Sequence, residues 1–211
     1  MFDLKSVIDS LSKERRIFHL EADFQHALAW QIQCAYPDAK VYLEAPCPCI
    51  GEKHAHVDIR FLLGEQRIAC EVKYCTARLS WEGFDLKNQG AEDCHRYDFL
   101  WDLSRIERMI DAGYAAVGYV VLLTNESLYW RRPRRTTTID ATLRIHEAAT
   151  ISGTLFWGMK ASGEKPSPGS MRGRDKPIVL TREYACWWAD YLSLGDGRAD
   201  VFRYLLLEVK R

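Results

Sequence analysis

The residues best equipped for chemistry lie in two short runs, His54-Ala55-His56-Val57-Asp58-Ile59-Arg60-Phe61 and Ile68-Ala69-Cys70-Glu71-Val72-Lys73. Successive side chains of a strand point to opposite faces. Read as strands, the second run puts Ile68, Cys70 and Val72 on one face and Ala69, Glu71 and Lys73 on the other. The first sends Val57, Ile59 and Phe61 one way and His56, Asp58 and Arg60 the other. Gly64-Glu65 between them reads as a two-residue hairpin turn, which sets Asp58 opposite Glu71. Facing carboxylates repel unless something positive lies between them. Mg²⁺ (or Mn²⁺) would serve, since it takes hard oxygen ligands, keeps several waters and accepts two or three carboxylates plus a substrate phosphate. Lys73 beside such an ion could orient or deprotonate an attacking water and offset charge on phosphorus. The chemistry expected of this set is metal-assisted hydrolysis of a phosphate ester.

The flanking elements have to hold these groups together. Phe24, Leu28 and Ile32 recur every four residues and predict a helix over 21–34, ended by Pro37-Asp38. Glu21 shares their stripe, whereas Asp23 projects about 200° further round, toward solvent. Glu21 is therefore the expected third carboxylate. Extended runs follow at 40–45, 54–63 and 67–75. Phe99, Leu103, Ile106 and Ile110 predict a second long helix that Gly113 terminates. The continuously apolar, β-branched segment 115–123 predicts a buried central strand. Helix, three strands, helix, strand is an α/β layer arrangement. Beyond it, 136–174 is rich in Thr, Ser, Gly and Pro, 162–175 reads as a mobile loop, and short strands are expected at 154–157, 177–181, 184–191 and 201–209. The expected architecture is thus a core over 1–125 and a β-rich extension over 126–211 packed on it as one structural domain.

Asp58, a twelve-residue gap and Glu71-Val72-Lys73, after a helix with an inward Glu21 and before a helix and a buried strand, resemble the PD-(D/E)xK superfamily of restriction-endonuclease-like nucleases, in a bacterial branch. The resemblance covers roughly residues 15–125. It implies an αβββαβ core and a Mg²⁺-dependent phosphodiesterase, set in bacterial defence or DNA processing. Asp58, Glu71 and Glu21 would be its metal ligands and Lys73 its catalytic lysine. Val57 stands where the motif has proline, as in many members. Glu208-Val209-Lys210 repeats the short motif, but it follows Asp200 too closely for an adequate hairpin and has no helix or buried strand after it. The alternative is a catalytically silent module of the same fold that binds nucleic acid or a protein partner.

Candidates for substrate contact lie outside the hairpin. The second long helix is expected to begin near Gln89, at the end of the Lys73 strand, where its first turn could meet a phosphate. Gln89 and Arg96 are the side chains placed for this, with pairing of Arg96 to Glu92 or Asp93 as the plain alternative. Tyr129-Trp130-Arg131-Arg132-Pro133-Arg134-Arg135 joins aromatics to Arg131, Arg132, Arg134 and Arg135, and 127–176 holds ten Lys or Arg against four Asp or Glu. Arginines track phosphates and aromatic faces stack on bases, though a solvated basic loop is as common. The whole chain has 29 basic and 29 acidic residues, so bulk charge does not drive nucleic-acid binding and any such surface is local. Trp187, Trp188, Tyr191 and Tyr204 are expected in the core of the extension.

Cys47, Cys49, His54 and His56 have zinc-ligand types, but Cys-x-Cys is not the usual knuckle spacing. The seven cysteines are odd in number and scattered, which suits reduced thiols. The longest apolar stretch, 114–123, is half of what a membrane-spanning helix needs, and the N-terminal residues lack a signal-peptide pattern. A cytoplasmic protein is expected, without a membrane, with nucleic acid as partner (DNA ahead of RNA) and a homodimer as an open arrangement.

Overall fold

The computed structural model describes residues 2–52, 54–159, 162–163 and 165–211. The chain is mixed α/β, built on a six-stranded sheet with four α-helices among the described residues. Chain order begins with α1 (Leu4–Glu14) and α2 (Glu21–Ala35). The strands β1 (Lys40–Pro46), β2 (His56–Leu63) and β3 (Gln66–Cys75) follow, then a small hairpin of β4 (Leu79–Trp81) and β5 (Phe84–Leu86). Next come α3 (Glu92–Asp111), β6 (Val117–Thr124), β7 (Thr150–Leu155), the one-turn α4 (Pro168–Met171), β8 (Ile178–Ala185), β9 (Trp188–Ser193) and β10 (Val201–Lys210). The sheet order is β1-β2-β3-β6-β10-β9. Only β3 and β6 are parallel neighbours in it, with α3 in the chain between them.

The hairpin register is the expected one. β2 and β3 pair from Ile59 with Cys70 to Leu63 with Gln66, across Gly64-Glu65. Gly64 takes the left-handed φ of 59° that a tight turn of this type requires. Alternation along β3 also holds. Ile68, Cys70, Val72 and Tyr74 pack with Phe24, Leu28 and Ile32 of α2 and with Leu4, Val7, Ile8 and Leu11 of α1. Ala69 and Cys75 pack on the other side with Phe99, Leu103, Ile106 and Ile110 of α3. Val57 departs from the expected face: it packs with the α3 side while Ile59 and Phe61 pack with the α1–α2 side. The β2–β3 ladder stops at Ile59, and beside it Glu44 in β1 has a positive φ of 48°. The edge of the sheet is irregular where Asp58 sits.

The last strands do more than cover the core. β10 pairs antiparallel with β6 along Arg203–Lys210, and β9 pairs with β10, so the sheet runs on through the position where the extension was expected to begin. Glu208 faces Tyr119 in that pairing and accepts its hydroxyl hydrogen bond. β7 and β8 form a separate ribbon against α3. It is fastened by Glu107, a carboxylate on α3 that is 1% exposed. Glu107 accepts hydrogen bonds from the Thr181 and Arg182 amides and the Tyr184 hydroxyl. The segment expected to be a loop at 162–175 contains α4, and Arg174 ties it to α3 through two bonds to Asp98.

α3 lies very close to β6 because Gly118 has no side chain. A Cβ built there would stand 2.2 Å from Ile106 Cγ2. Gly118→Ala is therefore expected to lower stability by about 1–3 kcal/mol, the usual result of overpacking a filled core. A thermal midpoint equal to that of the wild type would refute this. No helix among the described residues is long and apolar enough to cross a membrane.

Candidate active site

Asp58, Glu71 and Lys73 lie at one end of the sheet, under α3. Where the β2–β3 ladder stops, the Asp58 carboxylate turns inward and accepts from the Val72 amide at 2.8 Å. The Asp58 amide points back at Glu71 Oε2, 3.4 Å away. The two carboxylates that sequence set opposite each other are adjacent. Glu71 is 1% exposed. Burial pushes its carboxyl well above the usual range, and the neighbouring Asp102 and Asp58 charges add to this against the pull of Arg105. Asp58 is raised too, by burial first, with the Val72 amide opposing.

Two residues of α3, Asp102 and Arg105, complete the cluster. Lys73 Nζ is 2.9 Å from Asp102 Oδ2, and Arg105 Nη1 is 2.9 Å from Glu71 Oε1 and 3.2 Å from Asp102 Oδ1. Arg105 also donates to the His56 carbonyl. Burial by itself would lower the Lys73 pKa, but Asp102 and Glu21 carry it above the ordinary lysine value, so the side chain stays an ammonium. The sequence reading missed Asp102 and Arg105. Their signal was present: Asp102 is three residues past Phe99 and four before Ile106, a charge on the apolar stripe of a helix.

Glu21 is only partly where it was expected. It stands at the first position of α2, with half of its side chain exposed. One oxygen accepts from the Tyr74 amide at 3.0 Å, and the other is 3.8 Å from Lys73 Nζ. Asp23 does face away, pairing with Arg15. Gln25, one turn on, bridges Glu44 and the Asp58 carbonyl and steadies the loosened end of β2.

The expected trio of ligands is therefore not gathered as one set. Among the described residues no group of three or more His, Cys, Asp or Glu is arranged to hold a metal ion. Asp58 and Glu71 remain as a pair. Glu71 Oε1 and Asp102 Oδ2 are buried oxygens without a well-directed hydrogen bond among the described residues. Two adjacent carboxylates with an under-satisfied buried oxygen fit Mg²⁺, which needs few protein ligands. Arg105 is the competing cation.

The raised carboxyl has a consequence for stability. A group whose pKa is higher folded than unfolded binds its proton more tightly in the folded state, so stability is fullest below the ordinary Glu value of 4.5 and declines as pH rises through the shifted value. In metal-free buffer Glu71→Gln is expected to flatten this decline and to unfold at a higher temperature than the wild type near neutrality. An unchanged slope in thermal melts across pH would show that Glu71 is not its source.

Several residues expected to contact substrate are placed elsewhere. α3 begins at Glu92, not at Gln89, which is exposed before it and reaches the Tyr74 carbonyl at 3.4 Å. Arg96 pairs with neither Glu92 nor Asp93 and does not face solvent. At 3% exposure it donates to Asp140 at 2.7 Å and to the Leu128 carbonyl. Its position on the inner stripe pointed it into the 126–140 segment, which packs there. Tyr129 and Trp130 went the same way. Tyr129 is buried over Arg96 and beside His95, and Trp130 packs on Trp188. Trp188, Tyr191 and Tyr204 are buried as expected, whereas Trp187 is exposed. Cys47 and Cys49 are adjacent free thiols, 3.2 Å apart.

Arg131, Arg132, Arg134 and Arg135 behave otherwise. All four are exposed and line one cleft of about 540 Å³, with Arg144 and Arg198. No protein-family model, curated protein or solved structure matches the chain.

Proposed function

We propose that the chain is a Mg²⁺-dependent nuclease of the PD-(D/E)xK type that hydrolyses phosphodiester bonds, with DNA ahead of RNA as substrate. The observation that carries this reading is the juxtaposition of Asp58, just past the end of the β2–β3 ladder, with Glu71 and Lys73 of β3, and of Glu21 beside Lys73. The order β1-β2-β3-β6, with α2 before it and α3 between the parallel pair β3 and β6, supports a restriction-endonuclease-like core.

Asp58 and Glu71 would hold the ion, which supplies charge on the phosphate oxygens and an activated water when bound. Lys73, kept as an ammonium by Asp102 and Glu21, donates to the water or to a phosphate oxygen and offsets developing negative charge. It does not act as a base in this arrangement. Arg105, 2.9 Å from Glu71 Oε1 and with its Nε 3.5 Å from Glu52, would compete with such an ion for Glu71.

One observation favours a second reading. With Arg105 in place, Glu71 already has a protein-borne counter-charge, as a catalytically silent nucleic-acid-binding module would retain. Incubation with plasmid, single-stranded DNA and RNA in Mg²⁺ or Mn²⁺, against EDTA, separates the two. Metal-dependent cleavage is expected. Intact substrates together with salt-sensitive, metal-independent binding would establish the silent module instead.

A further inference from the structure

We propose that the arginine cleft past the C-terminal end of β6 is a binding site for a phosphomonoester, the dianionic phosphate at the end of a nucleic-acid strand or on a free nucleotide. Three separate stretches of chain converge on it: the loop of Arg131, Arg132, Arg134 and Arg135, then Arg144, then Arg198 in the β9–β10 connection. Arg144 is held by Asp140 at 2.9 Å and Arg198 by Glu126 at 3.0 Å. None of the four loop arginines pairs with a carboxylate among the described residues. So many guanidinium groups in one cleft repel one another unless an anion joins them.

A second observation is independent of charge. Ser127 lines the same cleft at 3% exposure, and its buried hydroxyl has no hydrogen-bond partner among the described residues. Arg144 Nε is likewise buried and without a partner. Buried polar atoms are nearly always satisfied, and exceptions mark places where something else binds. A hydroxyl and several guanidinium donors are the partners that the oxygens of a phosphate accept from. The cleft lies beyond the carboxyl ends of the parallel pair β3 and β6, where open α/β sheets take ligands.

The shape decides between an end and a backbone. A phosphodiester chain offers single charges strung along a line, whereas a terminal phosphate concentrates nearly two. Donors crowded from three segments into one cleft match the latter. This deepens the proposed function by naming the part of the substrate that is held, and it rests on that reading only for the carrier of the phosphate.

The test is equilibrium binding in EDTA at fixed ionic strength, where nothing is cleaved. Four probes are compared: one oligonucleotide with a 5′-phosphate, the same with a 3′-phosphate, the same with hydroxyl ends, and adenosine monophosphate. One phosphorylated oligonucleotide is expected to bind at least about tenfold tighter than the hydroxyl form. Arg134→Ala and Ser127→Ala are each expected to remove most of that preference. Ser127→Ala should do so with a thermal midpoint equal to or above that of the wild type, since it deletes an unsatisfied buried group. Monophosphate binding as tightly as the better oligonucleotide identifies a free nucleotide as the carrier. Equal binding of phosphorylated and hydroxyl ends, no binding of any probe, or a preference that survives both substitutions overturns the proposal. A preference kept by a protein that cleaves nothing would leave this site standing and remove the nuclease reading.

Discussion

Lys73→Ala is expected to cut the proposed metal-dependent cleavage by roughly 10²–10³-fold, the range for removing one preorganised donor from a developing charge. Glu71→Ala should cost more, about 10³-fold or beyond, because under the same proposal it would take away a ligand of an ion worth several kcal/mol, with each tenfold near 1.4 kcal/mol. The two substitutions differ in what they do to the fold. Lys73 is the nearer of two counter-charges for Asp102, so its loss leaves Asp102 Oδ2 without a cation beside Asp58 and Glu71 and lowers stability as well. Glu71 is itself repelled by Asp58 and Asp102, and Glu71→Gln should be at least as stable as the wild type near neutrality while remaining inactive. Loss of cleavage without loss of fold is thus the informative pair of results, read from plasmid nicking and thermal melts of one preparation. Cleavage by Glu71→Gln at a rate near that of the wild type would remove Glu71 from the site.

Asp140→Ala is expected to be strongly destabilising, by about 3–5 kcal/mol, because it strands the Arg96 guanidinium in the core. Arg96 would keep the Leu128 carbonyl and the Tyr129 ring but no carboxylate. For a chain of this size that corresponds to a fall in thermal midpoint of roughly 6–20 °C. Asp140 also holds Arg144 with its other oxygen, so the variant should lose order in the arginine cleft. The double variant Arg96→Met with Asp140→Leu removes both charges together and should recover most of the loss, as replacement of a buried pair by apolar groups often does. A midpoint for Asp140→Ala within experimental error of the wild type would show that Arg96 finds water or another partner.

What could be read from sequence divides along the range of the interactions. The β2–β3 hairpin was legible because a period of two and a two-residue turn leave one register that buries Ile59, Phe61 and Ile68. The faces of α2 and α3 were legible for the same local reason. α1 was overlooked although its signals are local too: Asp3 caps it at Ser6, and Leu4, Val7, Ile8 and Leu11 repeat at helical spacing. Asp102 and Arg105 could not be assigned roles beforehand, because their partners lie on β3, about thirty residues earlier, and meet them only through the close approach of α3 to the sheet at Gly118. Arg96 was placed on the correct face but against the wrong neighbour, since periodicity states which side is inward and not what waits there. The basic run was legible as charge, but Tyr129 and Trp130 within it belong to the core, where burial of large aromatic surface outweighs the polar company they keep in sequence.

The position of β6 bears on how the chain reaches this state. It is the most apolar strand, and both of its neighbours are remote: β3 ends about forty residues before it, and β10 begins about eighty residues after it. Neither pairing can form without first closing a long loop, which is the condition for slow folding. Until β10 arrives, a row of free amides and carbonyls along Val117–Thr124 stays open beside β-branched side chains, the combination that seeds association between chains. The strand latest in chain order is also the one that shelters this apolar edge, so weakening residues 201–210 is expected to raise association between chains during refolding.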